Sequence, residues 1–219
     1  AYPKPDDVIF SFPEQWQRDF IWSILGPFLV DCSWSPAELP FCRREDDDFQ
    51  AKSKAFHEIA FSLASRPEPD FLREGSRRLG HYFERLWQIF WREISDRYHC
   101  GQQIYEGGRT LGELDVLIER DGKQSHIELA VKFYLQFGSQ WFGPQAHDRL
   151  DLKLAHIQAH QLQMSRHPTA RQQLKQLNWE ATSDTAVLRG CLFHAVDAYE
   201  ESKTKGCEEF VRPAYCHGS

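Results

Sequence analysis

Apolar residues recur every three or four positions in the first part of the chain, a spacing that predicts helices. One helix is predicted within residues 14–30 and ends at Gly26-Pro27, and a second covers residues 49–65. A longer third helix is predicted to begin at Asp70, its N-cap. The apolar stripe of this third helix comprises Leu79, Phe83, Leu86, Trp87 and Phe90, with Glu84 beside it.

The spacing then changes to alternating and continuous apolar runs, which are typical of strands. Three runs follow one another, QQIYE, LGELDVLIE and SHIELAVKFYL, and the Asp121-Gly122 dipeptide between the last two indicates a hairpin. Helical spacing returns in HDRLDLKLAHIQAHQLQ and near residues 169–177, before a last strand-like run, TAVLRGCLFHAV. This order predicts an α/β fold with a mixed central sheet flanked by helices. We expect residues 1–66 to form an N-terminal helical extension and residues 67–219 to form the core domain.

Composition and charge narrow the function classes. Hydrophobic residues make up 41% of the 219 positions, enough for a packed core. The net charge of −6 excludes binding to nucleic acid through a general excess of cations, so any such contact has to be local. The longest apolar stretch, residues 19–30, is too short to cross a membrane. Six cysteines without a C-x-x-C pair indicate reduced thiols and a cytoplasmic protein; they are Cys32, Cys42, Cys100, Cys191, Cys207 and Cys216.

The predicted hairpin carries charged residues where a buried strand is expected. Side chains alternate across a strand, so Glu128 and Lys132 share a face with Ala130. In the preceding strand, Asp115 is expected to share a face with Glu113 and Leu117, with Leu114, Val116 and Ile118 opposite. Antiparallel pairing would bring Asp115 near Glu128. Charges persist in such a place only when they are paired or bound to a metal, and carboxylates are ligands for Mg²⁺ or Mn²⁺.

The segments GELDVL and HIELAVKFYL resemble the PD-(D/E)XK nuclease superfamily, which has the restriction-endonuclease-like fold. The resemblance covers about residues 70–195, with its sharpest part at residues 112–135, and is closest to a bacterial family that carries a domain-of-unknown-function label and has an ELAVKFYL strand. It implies a Mg²⁺- or Mn²⁺-dependent nuclease with Asp115, Glu128 and Glu84 as metal ligands and Lys132 orienting the attacking water. It also implies nucleic acid as the partner, DNA in preference to RNA, and a homodimer.

One position departs from the superfamily pattern. The usual acid stands two residues before the lysine, where this chain has Ala130. Glu128 lies four residues before Lys132, so their Cα atoms are roughly 13 Å apart along a strand. We expect both long side chains to converge over Ala130, so that Glu128 takes the role of the missing acid. The alternative is an ion-paired, catalytically inactive nuclease fold that binds a protein or nucleic-acid partner.

Other polar residues are weaker candidates. His156 and His160 have the i, i+4 spacing of metal ligands, but an ordinary helix surface is favoured because no third ligand accompanies them. A local basic patch is a second candidate, although solvated helix surfaces carry such charges routinely; it would comprise His147, Arg149, Lys153, His156, Arg77, Arg78 and Arg85. Trp141 and Phe142, in a predicted loop, either stack on an unpaired base or pack under the sheet, the favoured use.

Overall fold

A computed structural model describes residues 9–30, 47–74, 78–145 and 147–194. The helices are α1 (Gln15–Leu25), α2 (Asp47–Ala64), α3 (Asp70–Arg73), α4 (Leu79–Ile94), α5 (Leu150–Ala159) and α6 (Pro168–Gln176), with a 3₁₀ helix at Gln161–Arg166 between the last two. The strands are β1 (Arg97–Glu106), β2 (Arg109–Arg120), β3 (Lys123–Phe137), β4 (Gln140–Phe142) and β5 (Ser183–Phe193). The predicted α/β fold with a mixed sheet flanked by helices is confirmed.

Strand β3 is the centre of a five-stranded sheet. Strands β1, β2 and β3 form an antiparallel meander, and β5 runs parallel to β3 along eleven paired positions. Ile127 pairs with both β2 and β5, and Leu135 pairs with both β4 and β5. A strand has only two edges, so β2 and β4 occupy the same edge of β3 at its opposite ends. The stretch of that edge between them lies beside the candidate site.

Two layers of helices cover the sheet. Helices α1, α2 and α4 pack on one face around Trp87 and Trp91, which are fully buried. Helix α5 and the 3₁₀ helix cover part of the other face, around Tyr134 and Leu188. Each large apolar side chain that is fully buried contributes about 1.5–3 kcal/mol. Helices α1 and α2, which belong to the predicted N-terminal extension, share the core cluster that contains Ile127 of the sheet.

Arg189 connects the N-terminal helices to the sheet. Its side chain is fully buried in β5, and its guanidinium donates to the carbonyl oxygens of Ser23 and Ile24 at the end of α1, each at 3.0 Å. The guanidinium also lies 4.3 Å from the centre of the Phe28 ring. These hydrogen bonds offset part of the cost of burying the guanidinium. Arg189 therefore fixes the position of α1 against the central strands.

Several element boundaries differ from the sequence predictions. The third helix is not continuous: α3 ends at Arg73 and α4 begins at Leu79, and Asp70 is the first helical residue, with Pro69 at the N-cap. Gly75, which follows α3 in the sequence, has low helix propensity. Leu79 is 51% exposed, because it opens α4 rather than lying inside a longer helix.

The structure also bears on the cysteine and membrane predictions. Cys100 and Cys191 are free thiols, whereas Cys32, Cys42, Cys207 and Cys216 lie outside the described residues. In the part of the chain that the structure describes, no helix combines the length and the apolar character that a membrane span requires.

Candidate functional site

The candidate site lies where β2 and β3 separate, here called the β2–β3 fork. Pairing between the two strands runs from Arg120↔Lys123 to Val116↔Ile127. Beyond that point the backbone N–H of Leu129 donates to Oδ2 of Asp115 at 2.8 Å. A carboxylate thus takes the place of a backbone carbonyl and satisfies a donor that strand pairing leaves over. Asp115 is therefore fixed against the middle of β3.

The β1–β2 ladder is irregular beside Asp115. Paired positions run to Cys100↔Val116 and resume at Gln102↔Leu114, and the intervening Gly101 has φ +70°, a conformation that favours glycine. Strict alternation is wrong here: Leu114 packs in one cluster with Leu117, whereas Val116 packs against the N-terminal helices. The facing of β2 therefore changes at the position of the aspartate, opposite Gly101.

Glu128 is buried and doubly hydrogen-bonded. Its side chain is 3% exposed, and Oε1 accepts from His126 Nε2 at 2.8 Å. Nδ1 of His126 lies 3.1 Å from Oδ1 of Asp184 on β5, while Gln161 Nε2 donates to the second oxygen of Glu128. Burial alone would lower the pKa of His126, but hydrogen bonds to Asp184 and Glu128 raise it to about 9. His126 is therefore an imidazolium at neutral pH and donates to both carboxylates.

Asp115, Glu128 and Glu84 form a cluster of carboxylates, and the pKa values of Asp115 and Glu84 are raised. Burial, followed by the charge of Glu128, raises the pKa of Asp115 to about 8, and Glu84 adds to this shift. Burial also raises the pKa of Glu84, to which Glu113 and Glu128 contribute. Nearby like charges disfavour ionisation. The structure thus brings the three predicted carboxylates within electrostatic range of one another.

Lys132 does not converge with Glu128 over Ala130. Its Nζ instead donates to Oδ2 of Asp148 at 2.7 Å, and the two side chains are 32% and 23% exposed. Tyr134, two residues further along β3, donates from its hydroxyl to the other oxygen of Asp148 at 3.1 Å. Asp148 precedes α5 and forms an ion pair with the lysine. Among the described residues no hydrogen bond or ion pair joins Lys132 to Glu128, so the expected convergence is not seen.

Lys153 and Gln161 belong to the same site, although the hairpin motif gave no indication of them. Nζ of Lys153, on α5, donates to Oε1 of Gln161 at 2.7 Å, and Gln161 in turn donates to Glu128. Burial and the neighbouring charge of Lys132 lower the pKa of Lys153, whereas Glu128, Asp115 and Asp148 act in the opposite direction. The sequence contains a signal for Lys153, because this residue lies between Leu150 and Ile157 at the spacing of the buried face of α5.

The remaining candidates are not brought into this site as a group. Arg149 is paired with Asp151 at its own helix start, and Arg77 lies outside the described residues. His156 and His160 are exposed, with ring centres 5.1 Å apart. Trp141 is 4% exposed and packs in strand β4, so it is tucked under the sheet rather than presented to a base.

Across the described residues, no set of three or more His, Cys, Asp or Glu side chains is placed so that it could hold a metal ion. Glu128 has both oxygens engaged, and Asp115 uses one of its own. A cation at the carboxylate cluster would therefore require Glu128 to exchange the amide of Gln161 for the ion.

A protein-family comparison gives a match over residues 18–219 to the family described as "Domain of unknown function (DUF1853)". The chain belongs to this family. No curated protein and no solved structure matches the chain significantly. The DUF1853 match includes every element from α1 to β5 except the first residues of α1, so the whole β2–β3 fork and its carboxylates lie within the family domain.

Proposed function

We propose that this DUF1853 protein is a metal-dependent nuclease that hydrolyses phosphodiester bonds of nucleic acid. The observation that carries the proposal is the cluster of Asp115, Glu128 and Glu84 at the fork, in which burial and mutual repulsion raise the pKa of Asp115 to about 8. A divalent cation would relieve this repulsion, because hard cations prefer carboxylate oxygens. The order of helix Glu, strand Asp and strand Glu/Lys is the order found in the PD-(D/E)XK superfamily.

The chemistry of the donors fits Mg²⁺ or Mn²⁺. Asp115 and Glu128 would hold the ion, with Glu84 as a further or water-mediated ligand. Such an ion activates water and offsets the charge of a scissile phosphate. The hydrogen bond from the Leu129 N–H positions Asp115. His126, locked between Glu128 and Asp184, orients Glu128.

Lys132 supplies the cation that the superfamily pattern assigns to orienting the water. Its ion pair with Asp148 holds the ammonium near the open part of the β3 edge. We assign DNA as the preferred substrate, the cytoplasm as the compartment and a homodimer as the working form on the resemblance alone. With a net charge of −6, contact with a polyanion has to be concentrated at the site and its bound ion.

The alternative, an inactive nuclease fold that binds a partner, is favoured by one specific observation. Glu128 is already satisfied by His126 and Gln161, and Lys132 is already paired with Asp148. Buried polar groups satisfied in this way need no ligand for stability. The two functions differ in whether the carboxylates take up a metal.

Calorimetric titration with Mn²⁺ separates these functions. We expect the wild type to bind Mn²⁺ and Asp115→Asn to bind it at least tenfold more weakly. Asp96→Asn is the matched control, since Asp96 also accepts one backbone N–H, that of Asp121 at 2.8 Å, but is exposed at the hairpin end. Plasmid and oligonucleotide cleavage with Mg²⁺, Mn²⁺ or EDTA would follow. Absence of Mn²⁺ binding, with and without an oligonucleotide, together with absence of cleavage would refute the nuclease.

A further inference from the structure

Lys153 lies on the face of α5 whose other side chains are apolar and packed against the core. Leu150 and Ile157 are each 1% exposed, and Leu154 packs against the same cluster. Lys153 lies three residues after Leu150 and four before Ile157, which places it on this buried stripe. The side chain is half-buried, so its ammonium has lost part of its hydration. A lysine in such a position is costly unless it has a polar partner or a task.

The hydrogen bonds of Lys153 connect it to the carboxylate cluster. The side chain of Gln161 accepts from Lys153 through Oε1 and donates to Glu128 through Nε2. An amide has one accepting and one donating end, so this double contact fixes its orientation. The charges of Glu128, Asp115 and Asp148 all act on Lys153. Lys153 therefore lies at the edge of the same site, on the helix side of the β2–β3 fork.

The two lysines of the site, Lys132 and Lys153, differ in the charge of their hydrogen-bonding partners. Lys132 forms an ion pair with Asp148, at 2.7 Å. The hydrogen-bonding partner of Lys153 is Gln161, a neutral amide, at 2.7 Å. The charge of Lys132 repels that of Lys153 and so helps to lower the pKa of Lys153. Among the described residues no carboxylate lies within ion-pair distance of the Lys153 ammonium, so an anion that enters the site would meet Lys153 as a half-buried cation.

We propose that Lys153 contacts the scissile phosphate and stabilises the charge that develops on it. This inference rests on the proposed nuclease function and adds a catalytic residue outside the strand motif. The ammonium moves from Gln161 to a non-bridging phosphate oxygen. A preorganised cation in a partly desolvated site stabilises such charge far better than one in water.

The test compares lysine substitutions in a cleavage assay. Lys153→Met keeps the aliphatic length and removes the charge, Lys153→Arg keeps the charge, and Lys123→Met is the matched control at the exposed start of β3. Loss of one preorganised donor lowers kcat by about 100- to 1,000-fold. We expect Lys153→Met to show that loss in kcat with little change in KM or Mn²⁺ affinity. Lys153→Arg should recover part of kcat, and Lys123→Met should match the wild type.

A second readout requires no turnover. The chain has nine lysines, few enough to follow individually by acetylation and mass spectrometry. A DNA oligonucleotide bound in Ca²⁺ should protect Lys153 and leave Lys123 reactive. This measurement also covers the case in which Lys153→Met does not fold, because it uses the wild type.

The outcomes separate the two proposals. Cleavage by the wild type together with unchanged kcat in folded Lys153→Met, or unprotected Lys153 in the oligonucleotide complex, would overturn the role of Lys153 and leave the nuclease intact. A wild type that neither binds Mn²⁺ nor cleaves would overturn the nuclease and the role of Lys153 with it.

Discussion

Replacing Asp115 with asparagine should stabilise the metal-free protein. The asparagine retains an oxygen for the Leu129 N–H, which Asp115 accepts at 2.8 Å, and removes the charge that Glu128 and Glu84 oppose. Burial and these neighbours raise the pKa of Asp115 from 3.8 to about 8. Because the folded pKa is the higher one, the folded state binds the proton more tightly. The associated stability is complete below pH 3.8 and is lost as the pH rises through about 8.

The size of the effect follows from the pKa difference. Each pKa unit corresponds to about 1.4 kcal/mol. At pH 7 the free energy of unfolding of the wild type is therefore lower by at most about 4 kcal/mol than it would be with a group at this position that does not titrate. We therefore expect Asp115→Asn to unfold in urea with a free energy higher by up to about 4 kcal/mol at pH 7 in EDTA. The gain should shrink towards pH 4. Asp96→Asn should leave this pH dependence unchanged.

Metal should reduce this difference. At 100 times its dissociation constant, Mn²⁺ stabilises the wild type by about 2.7 kcal/mol and should scarcely affect Asp115→Asn. Binding at pH 7 should also release close to one proton, seen as a dependence of the calorimetric heat on buffer ionisation enthalpy. An Asp115→Asn protein that is no more stable than the wild type between pH 5 and pH 8 in EDTA would refute the reasoning about carboxylate repulsion.

Three further predictions concern the surroundings of the site. Gly190→Ala should destabilise by more than about 3 kcal/mol, measured by urea unfolding, because Gly190 has φ +147° and an added Cβ would lie 1.6 Å from the carbonyl oxygen of Lys132. The pKa of His126 is raised to about 9, so its contribution to the free energy of unfolding is complete below pH 6.5 and is lost as the pH rises through 9. We expect the wild type to lose about 3 kcal/mol over this range and His126→Gln to lack that loss. An equal dependence of the unfolding free energy on pH in both proteins would contradict the buried imidazolium. Arg189→Met should cost about 2–5 kcal/mol in the same urea assay, because two carbonyl oxygens at the end of α1 lose their donor; a loss below 1 kcal/mol would show that water replaces the guanidinium.

Local rules of sequence predict most of the elements and part of the site. The hairpin at Asp121-Gly122 sets the β2–β3 register, in which Val116 pairs with Ile127, so Asp115 and Glu128 are the next residues on the two strands. Helical spacing places Glu84 beside the stripe that packs on the sheet, within range of both. These features depend on neighbours along the chain or across one turn. Alternation and helical periodicity are sufficient to describe them.

The partners of the two lysines depend on longer-range packing. Lys132 alternates onto the expected face, but its direction is decided by Asp148, which enters from beyond β4. Lys153 is an ordinary helix cation by composition, and only the docking of α5 on the sheet places it against Gln161. No periodicity encodes these pairings. The kink at Gly101 was in principle detectable, since a glycine inside a strand run signals an irregularity.

The β2–β3 fork also explains why one side of the site is fixed and the other can adjust. Separation of the strands leaves the Leu129 N–H without a strand partner, and Asp115 satisfies it, so the aspartate is held by the backbone itself. Glu128 is held instead by side chains, and one of these, Gln161, lies on a 3₁₀ helix and also holds Lys153. A ligand that draws Glu128 or Lys153 away from Gln161 would therefore alter the helix side while Asp115 stays in place. Under the proposed function, metal and phosphate binding would therefore be coupled through a single amide, and Gln161→Leu should weaken that coupling.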